Sequence, residues 1–281
     1  MYLRPTALAD ALGALAARRP AILAGGTDFY PACVGRPLPD EVLDLGAIAE
    51  LRGIREEAGG WRIGALVTWT EILERRLPRG FDCLKQAARE VGGVQIQNCG
   101  TVAGNLCNAS PAADGVPALL ALEARVELAS ARGRRELPLG DFVLGSRTTA
   151  CAPDEIVTAV LVPKGAGDRR SVFLKLGARR YLVISIAMVA AAFELRADRT
   201  IERAAIAVGA CSPVARRLAA VEAGLVGRPL VPGIGALVAP GHLAALAPIS
   251  DVRGTAAYRL DAAATLVARV LERVAAETND E

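Results

Sequence analysis

The chain has 281 residues, 52% apolar and only 4% aromatic, with 33 basic against 30 acidic side chains and a net charge of +3. That length allows two domains or one domain with subdomains, packed mainly by alanine, leucine and valine, and the even charge excludes a nucleic-acid or basic membrane surface. Six cysteines without a Cys-x-x-Cys spacing and a single histidine, His242, exclude a zinc ribbon, a cysteine-ligated cluster, a Ser-His-Asp triad and a multi-histidine metal site.

In chain order, Thr6 can cap a helix over residues 7–18, with leucines at 8, 12 and 15 on one face. Strands over 22–24 and 42–45 complete a small βαβ unit. Shorter strands follow over 51–56 and 61–66, then helices over 68–76 and 81–91. Beyond residue 122 come strands over 125–130, 135–138 and 156–162. The Arg132-Gly-Arg-Arg135 run reads as a solvated turn. Pro163-Lys-Gly-Ala-Gly-Asp168 is the best candidate linker, being small, polar and glycine-rich. Strands over 171–176, 184–195 and 201–208 then precede helices over 214–225 and 255–275, an order that predicts a smaller α+β domain. The apolar run 182–193 is shorter than a membrane span and is interrupted by Ser185. No basic segment followed by a hydrophobic signal core opens the chain, so the expected setting is the reducing cytoplasm.

Two loops carry the chemistry. Residues 21–28, AILAGGTD, run from a short apolar strand into a glycine turn, where Gly25, Gly26 and Thr27 can gather backbone N–H groups and a hydroxyl around one anion. Residues 100–114, GTVAGNLCNASPAAD, form a second cradle of small residues and amides. There Asp114 stands as a plausible N-cap for a helix over 115–122. Cys99 and Cys107 flank this loop and read as small buried thiols. Two phosphate-sized cradles suit a dinucleotide whose pyrophosphate lies between them. Neither loop is a Gly-x-Gly-x-x-Gly fingerprint or a Gly-x-x-x-x-Gly-Lys-Ser/Thr loop, so the usual nicotinamide and ATP folds are not indicated.

The pair AGGTD (24–28) and GTVAGNLCNASPAAD (100–114) resembles the FAD-binding medium subunits of molybdenum hydroxylases, the xanthine dehydrogenase, carbon monoxide dehydrogenase and aldehyde oxidase type. The usual form there is AGG-x-[SD], then T-[IV]-G-G-N with SP-x-x-D. DEIVTAVLVP (154–163) and FLKLGARR (173–180) extend the likeness over nearly the whole chain. The resemblance implies an α+β architecture. A two-subdomain FAD-binding domain of the PCMH type would span 1–165, with subdomains about 1–50 and 51–165. A smaller α+β C-terminal domain would span 169–281, with a three-stranded antiparallel sheet and helices.

The resemblance also implies the cofactor contacts. Ile22, Leu23, Ala24, Gly25, Gly26, Thr27, Asp28 and Phe29 fall on the positions that wrap FAD first. Thr101, Val102, Ala103, Gly104 and Asn105 fall on the second cradle, with Ala103 where glycine is usual. That methyl is tolerated if the residue's φ is negative. Asp114 would reach the adenosine ribose, Asn108 would lie near the flavin, and Val157 would pack against the ring system. Lys175 would offset phosphate or flavin charge. Val91 stands where some relatives carry an aromatic residue.

The implied function is that of the FAD-binding electron-transfer subunit of a multi-subunit molybdenum hydroxylase. It would accept electrons from [2Fe–2S] clusters of a small partner subunit and pass them to NAD⁺, oxygen or another acceptor. Molybdopterin would reside on a large partner subunit. FAD would be noncovalent, and no residue here would be catalytic or bind metal. Two alternatives stay open: a self-contained flavin-dependent oxidase, and a non-catalytic nucleotide-binding assembly protein.

Overall fold

The first helix forms over Leu8–Arg18 and buries Leu8, Ala11 and Leu15 on one side. Its N-cap is Ala7, not the expected Thr6, and no side chain caps it. The Leu8 N–H instead donates to Glu50 Oε1 at 3.1 Å, so a carboxylate from a distant turn takes the capping role. The computed structural model describes residues 1–277. The helix packs on a three-stranded parallel sheet in which Val42–Asp44 lies between Tyr2–Leu3 and Ala21–Leu23.

A five-stranded antiparallel sheet follows, in the order Ile54–Glu57, Gly60–Gly64, Ile156–Pro163, Arg125–Ser130 and Gly133–Pro138. Ile156–Pro163 is central because it is apolar on both faces, whereas Gly133–Pro138 is a polar edge. Of the arginine run expected as a turn, only Arg132 precedes that edge strand, where it pairs with Asp154; Arg134 and Arg135 lie within the strand, and Arg135 pairs with Glu155. Helices Asp82–Glu90 and Gly115–Ala121 cover this part of the core together with Trp69, Phe81 and Phe142.

The C-terminal half is built on an antiparallel sheet of Arg170–Leu176, Ala187–Leu195, Ile201–Gly209 and Arg216–Arg217. The fourth strand is two residues long and falls where a helix over 214–225 was expected. The helix begins later, at Ala219–Leu225, because Arg217 joins the sheet edge beside Ala207 and forks onto Glu222 at 2.5 and 2.9 Å. Along Ala187–Leu195 the side chains alternate between two buried faces. Met188, Ala190 and Ala192 pack against the N-terminal core, while Ala187, Val189, Ala191 and Phe193 pack under the long helix Ala256–Glu277. Burial on both faces explains why this strand reads as one apolar run. Among the described residues no helix is long and apolar enough to cross a membrane.

Candidate functional site

The strand Ala21–Leu23 ends in a loop that turns at Gly26, whose φ of +76° suits glycine and would strain a larger residue. The carbonyls of Gly26 and Asp28 accept from the N–H groups of Tyr30 and Ala32, each at 3.1 Å. The five N–H groups of Gly25, Gly26, Thr27, Asp28 and Phe29 have no protein acceptor among the described residues. Consecutive uncommitted donors of this kind, lining a cavity, are the material of an anion-binding nest.

The second loop is organised by Thr101, the N-cap of the helix Val102–Asn108, whose hydroxyl accepts from the Gly104 N–H at 3.0 Å. A Cβ on Gly104 would stand 2.7 Å from that hydroxyl oxygen, so glycine preserves the cap. The Val102 N–H donates to Val67 and the Asn105 N–H to the Thr101 carbonyl, leaving the Ala103 N–H without a protein partner. Ala103 sits in helical conformation, outside the positive-φ set, and is 3% exposed, so its methyl is accommodated. Asn105 has a buried side-chain oxygen with no partner among the described residues.

The two loops touch backbone to backbone. A Cβ on Gly25 would fall 2.0 Å from the Cys99 carbonyl oxygen and 3.1 Å from the Gly100 Cα. Gly25 is therefore required by the loop-to-loop contact itself. Trp69 braces the junction: its N–H donates to the Gly100 carbonyl at 3.1 Å, and its indole is 1% exposed.

Between the loops lies a cavity of about 470 Å³, of the size that accommodates cofactors. Ile22, Ala24, Gly25, Gly26, Thr27, Asp28 and Phe29 line it from the first loop. Thr101, Ala103, Gly104, Asn105 and Asn108 line it from the second, and Val157 from the central strand. Leu23 and Val102 point instead into the core. Among the described residues the wall includes no lysine, arginine or histidine, and its two carboxylates are Asp28 and Glu155. Arg135 holds both Glu155 oxygens, at 2.6 and 2.7 Å, and keeps that carboxyl below the usual range. The donors that this wall offers an anion are therefore backbone N–H groups.

Asp114 and Lys175 are brought together, but behind the wall. Lys175 Nζ donates to Asp114 Oδ2 at 2.8 Å and to the Glu90 carbonyl at 3.2 Å, and Ser185 Oγ donates to Asp114 Oδ1 at 2.6 Å. Asp114 precedes the helix Gly115–Ala121 yet makes no capping hydrogen bond, because these partners occupy its oxygens. Burial pushes its carboxyl above the ordinary value, with Lys175 and Ser185 opposing. Glu90 adjoins Val91, a wall residue, so the pair backs that end of the cleft.

Sequence reasoning missed Trp69, Leu66, Ile96 and Cys151 as wall residues, and Cys107 was read as a buried thiol. Cys99 and Cys107 are both exposed, Cys107 as part of the cavity wall. His242 lies in the short turn Pro240–Leu243 and accepts through Nδ1 from the Ala239 N–H at 3.1 Å.

A family model described as the FAD binding domain in molybdopterin dehydrogenase matches residues 1–165, and one described as the CO dehydrogenase flavoprotein C-terminal domain matches residues 173–274. The glyceraldehyde dehydrogenase medium chain of Sulfolobus acidocaldarius is 32% identical over 279 residues, 98% of either chain. The nicotinate dehydrogenase FAD-subunit of Eubacterium barkeri is 40% identical over 193 residues, 66% of this chain and 65% of that one. A solved structure of carbon monoxide dehydrogenase from Hydrogenophaga pseudoflava superposes with a TM-score of 0.88 at 29% identity, covering 98% of this chain and 96% of that chain. The anion nest, the glycine-tight junction and the cleft between them thus belong to an FAD-binding domain, and the chain is a member of the FAD-binding medium subunits of the molybdenum hydroxylase family.

Proposed function

We propose that this chain is the electron-transfer subunit of a multi-subunit molybdenum hydroxylase. It takes electrons from [2Fe–2S] clusters of a small partner subunit, while a large partner subunit carries molybdopterin and the substrate site. FAD bound in the cleft supplies the exchange between one- and two-electron chemistry. The N–H groups of residues 25–29 and of Ala103 hold the pyrophosphate, and Gly25 keeps the two loops at the spacing it needs. Ile22, Phe29 and Val157 supply apolar walls, while Asn105 and Asn108 supply amides. Asp114 and Lys175 fix the cleft from behind by joining residues 1–165 to a second unit, 169–281.

The observation that carries this reading is the run of uncommitted N–H groups in a wall whose two carboxylates both stand beside arginines. Arg135 holds both oxygens of Glu155, Asp28 lies at the exposed rim with a guanidinium 3.9 Å away, and the wall has no histidine or lysine to serve as a general base among the described residues. That composition favours electron transfer over a self-contained oxidase. The test is to mix the FAD-loaded chain with its reduced iron–sulfur partner and follow the flavin absorbance. Bleaching by the partner, and none by organic substrates added to the chain alone, supports the assignment. Turnover of such a substrate by the lone chain contradicts it.

A further inference from the structure

We propose that Arg147 is a clasp across the rim of the cofactor cleft, a positioning residue that ties the first loop to the second and slows release of the cofactor. This deepens the reading of the cleft as an FAD site and rests on it. Asp28 and Asn108 are wall residues from opposite loops, whereas Arg147 is not in the wall. Arg147 reaches both: Nη1 donates to the Asn108 carbonyl at 3.3 Å and to its side-chain oxygen, and stands 3.9 Å from Asp28 Oδ1. The residue sits on the hairpin of Val143–Gly145 and Thr148–Thr149. The Arg147 N–H donates to the Ala109 carbonyl at 2.9 Å, and both residues are left-handed, with φ of 58° and 46°. The hairpin is therefore fixed to the end of the helix Val102–Asn108, and Arg147 is carried by the second loop while Asp28 belongs to the first.

The charge balance gives the clasp its purpose. A dinucleotide brings two phosphate charges to a wall that has no cation and already holds Asp28. Arg135 is committed to Glu155 in a two-pronged pair. The long 3.9 Å approach to Asp28 leaves Arg147 with guanidinium donors to spare. It can neutralise Asp28 and lie beside the diphosphate at once, closing the rim by charge without entering the wall.

The test measures the FAD release rate of the purified chain in a trapping assay at low and high salt. Wild type, Arg147→Ala and Arg147→Lys are compared, with Arg125→Gln as a charge control from the exposed pair with Glu136. Arg147→Ala should release FAD about three- to fivefold faster, the worth of an exposed charge pair. It should also lose much of the wild-type acceleration by salt. Arg147→Lys should restore the salt response, and Arg125→Gln should match wild type. A wild-type rate and salt response in Arg147→Ala, or an equal change in Arg125→Gln, overturns the clasp. Failure of wild type to retain FAD is a separate result that overturns the cofactor reading itself.

Discussion

Gly25→Ala is the perturbation that tests the junction of the two loops most sharply. The added Cβ lies 2.0 Å from the Cys99 carbonyl oxygen, where ordinary contact begins at 3.4 Å, so the loops must part by about 1.4 Å. The obstacle is backbone on both sides and has no rotamer escape. Overpacking of this kind costs about 1–3 kcal/mol of stability. The larger effect falls on the ligand. Donors on one loop move out of reach of a pyrophosphate held by the other, and each charge-assisted hydrogen bond contributes about 1.5–3 kcal/mol. Loss of one weakens FAD by about tenfold or more, and loss of two by about 100-fold or more. Titration of FAD into the purified variant measures the affinity, and a melting curve without flavin measures the stability cost. Gly13→Ala is the control: it sits in the first helix with nothing within 4 Å. It should stabilise the chain by about 0.5–1 kcal/mol and leave FAD affinity unchanged. Binding of FAD by Gly25→Ala within threefold of wild type would refute the two-loop account.

Lys175→Met leaves the Asp114 carboxylate buried without its cation. The variant should lose about 3 kcal/mol of stability at neutral pH, and Asp114→Leu in the same chain should recover much of it. Equal losses that simply add would show that the pair is not coupled. The Arg253 N–H and the guanidinium of Arg259 hold Asp251 at about 2, below the ordinary aspartate value of 3.8. A depressed carboxyl contributes stability that is present above the unfolded value and lost as pH falls through the folded one. Asp251→Asn should therefore melt earlier than wild type at pH 7, and the gap should close as pH falls from about 4 to about 2. A gap that persists at the acid end contradicts the assigned role of the carboxylate.

Much of the fold and both loops were legible in the sequence because their determinants are local. Gly25 and Gly26 announce a turn through their own chemistry, and the apolar strands announce themselves by composition. What the sequence hid depends on partners far along the chain. Asp114 looked like a cap, but its oxygens are taken by Lys175 and Ser185, 61 and 71 residues away. Gly25 looked like freedom for a ligand, whereas its spacing requirement comes from Cys99. Trp69 and Cys107 reach the wall only through tertiary packing, which no periodicity encodes. The fourth strand of the C-terminal sheet is two residues long, too short to leave a pattern.

The most direct test of the central claim is a titration of FAD and FMN into the purified chain, followed by denaturation. The account predicts tight binding of FAD in preference to FMN, because only a dinucleotide spans both loops with a pyrophosphate between them, and release of all flavin on unfolding. Equal binding of FMN, or a well-folded chain that binds neither, would contradict it.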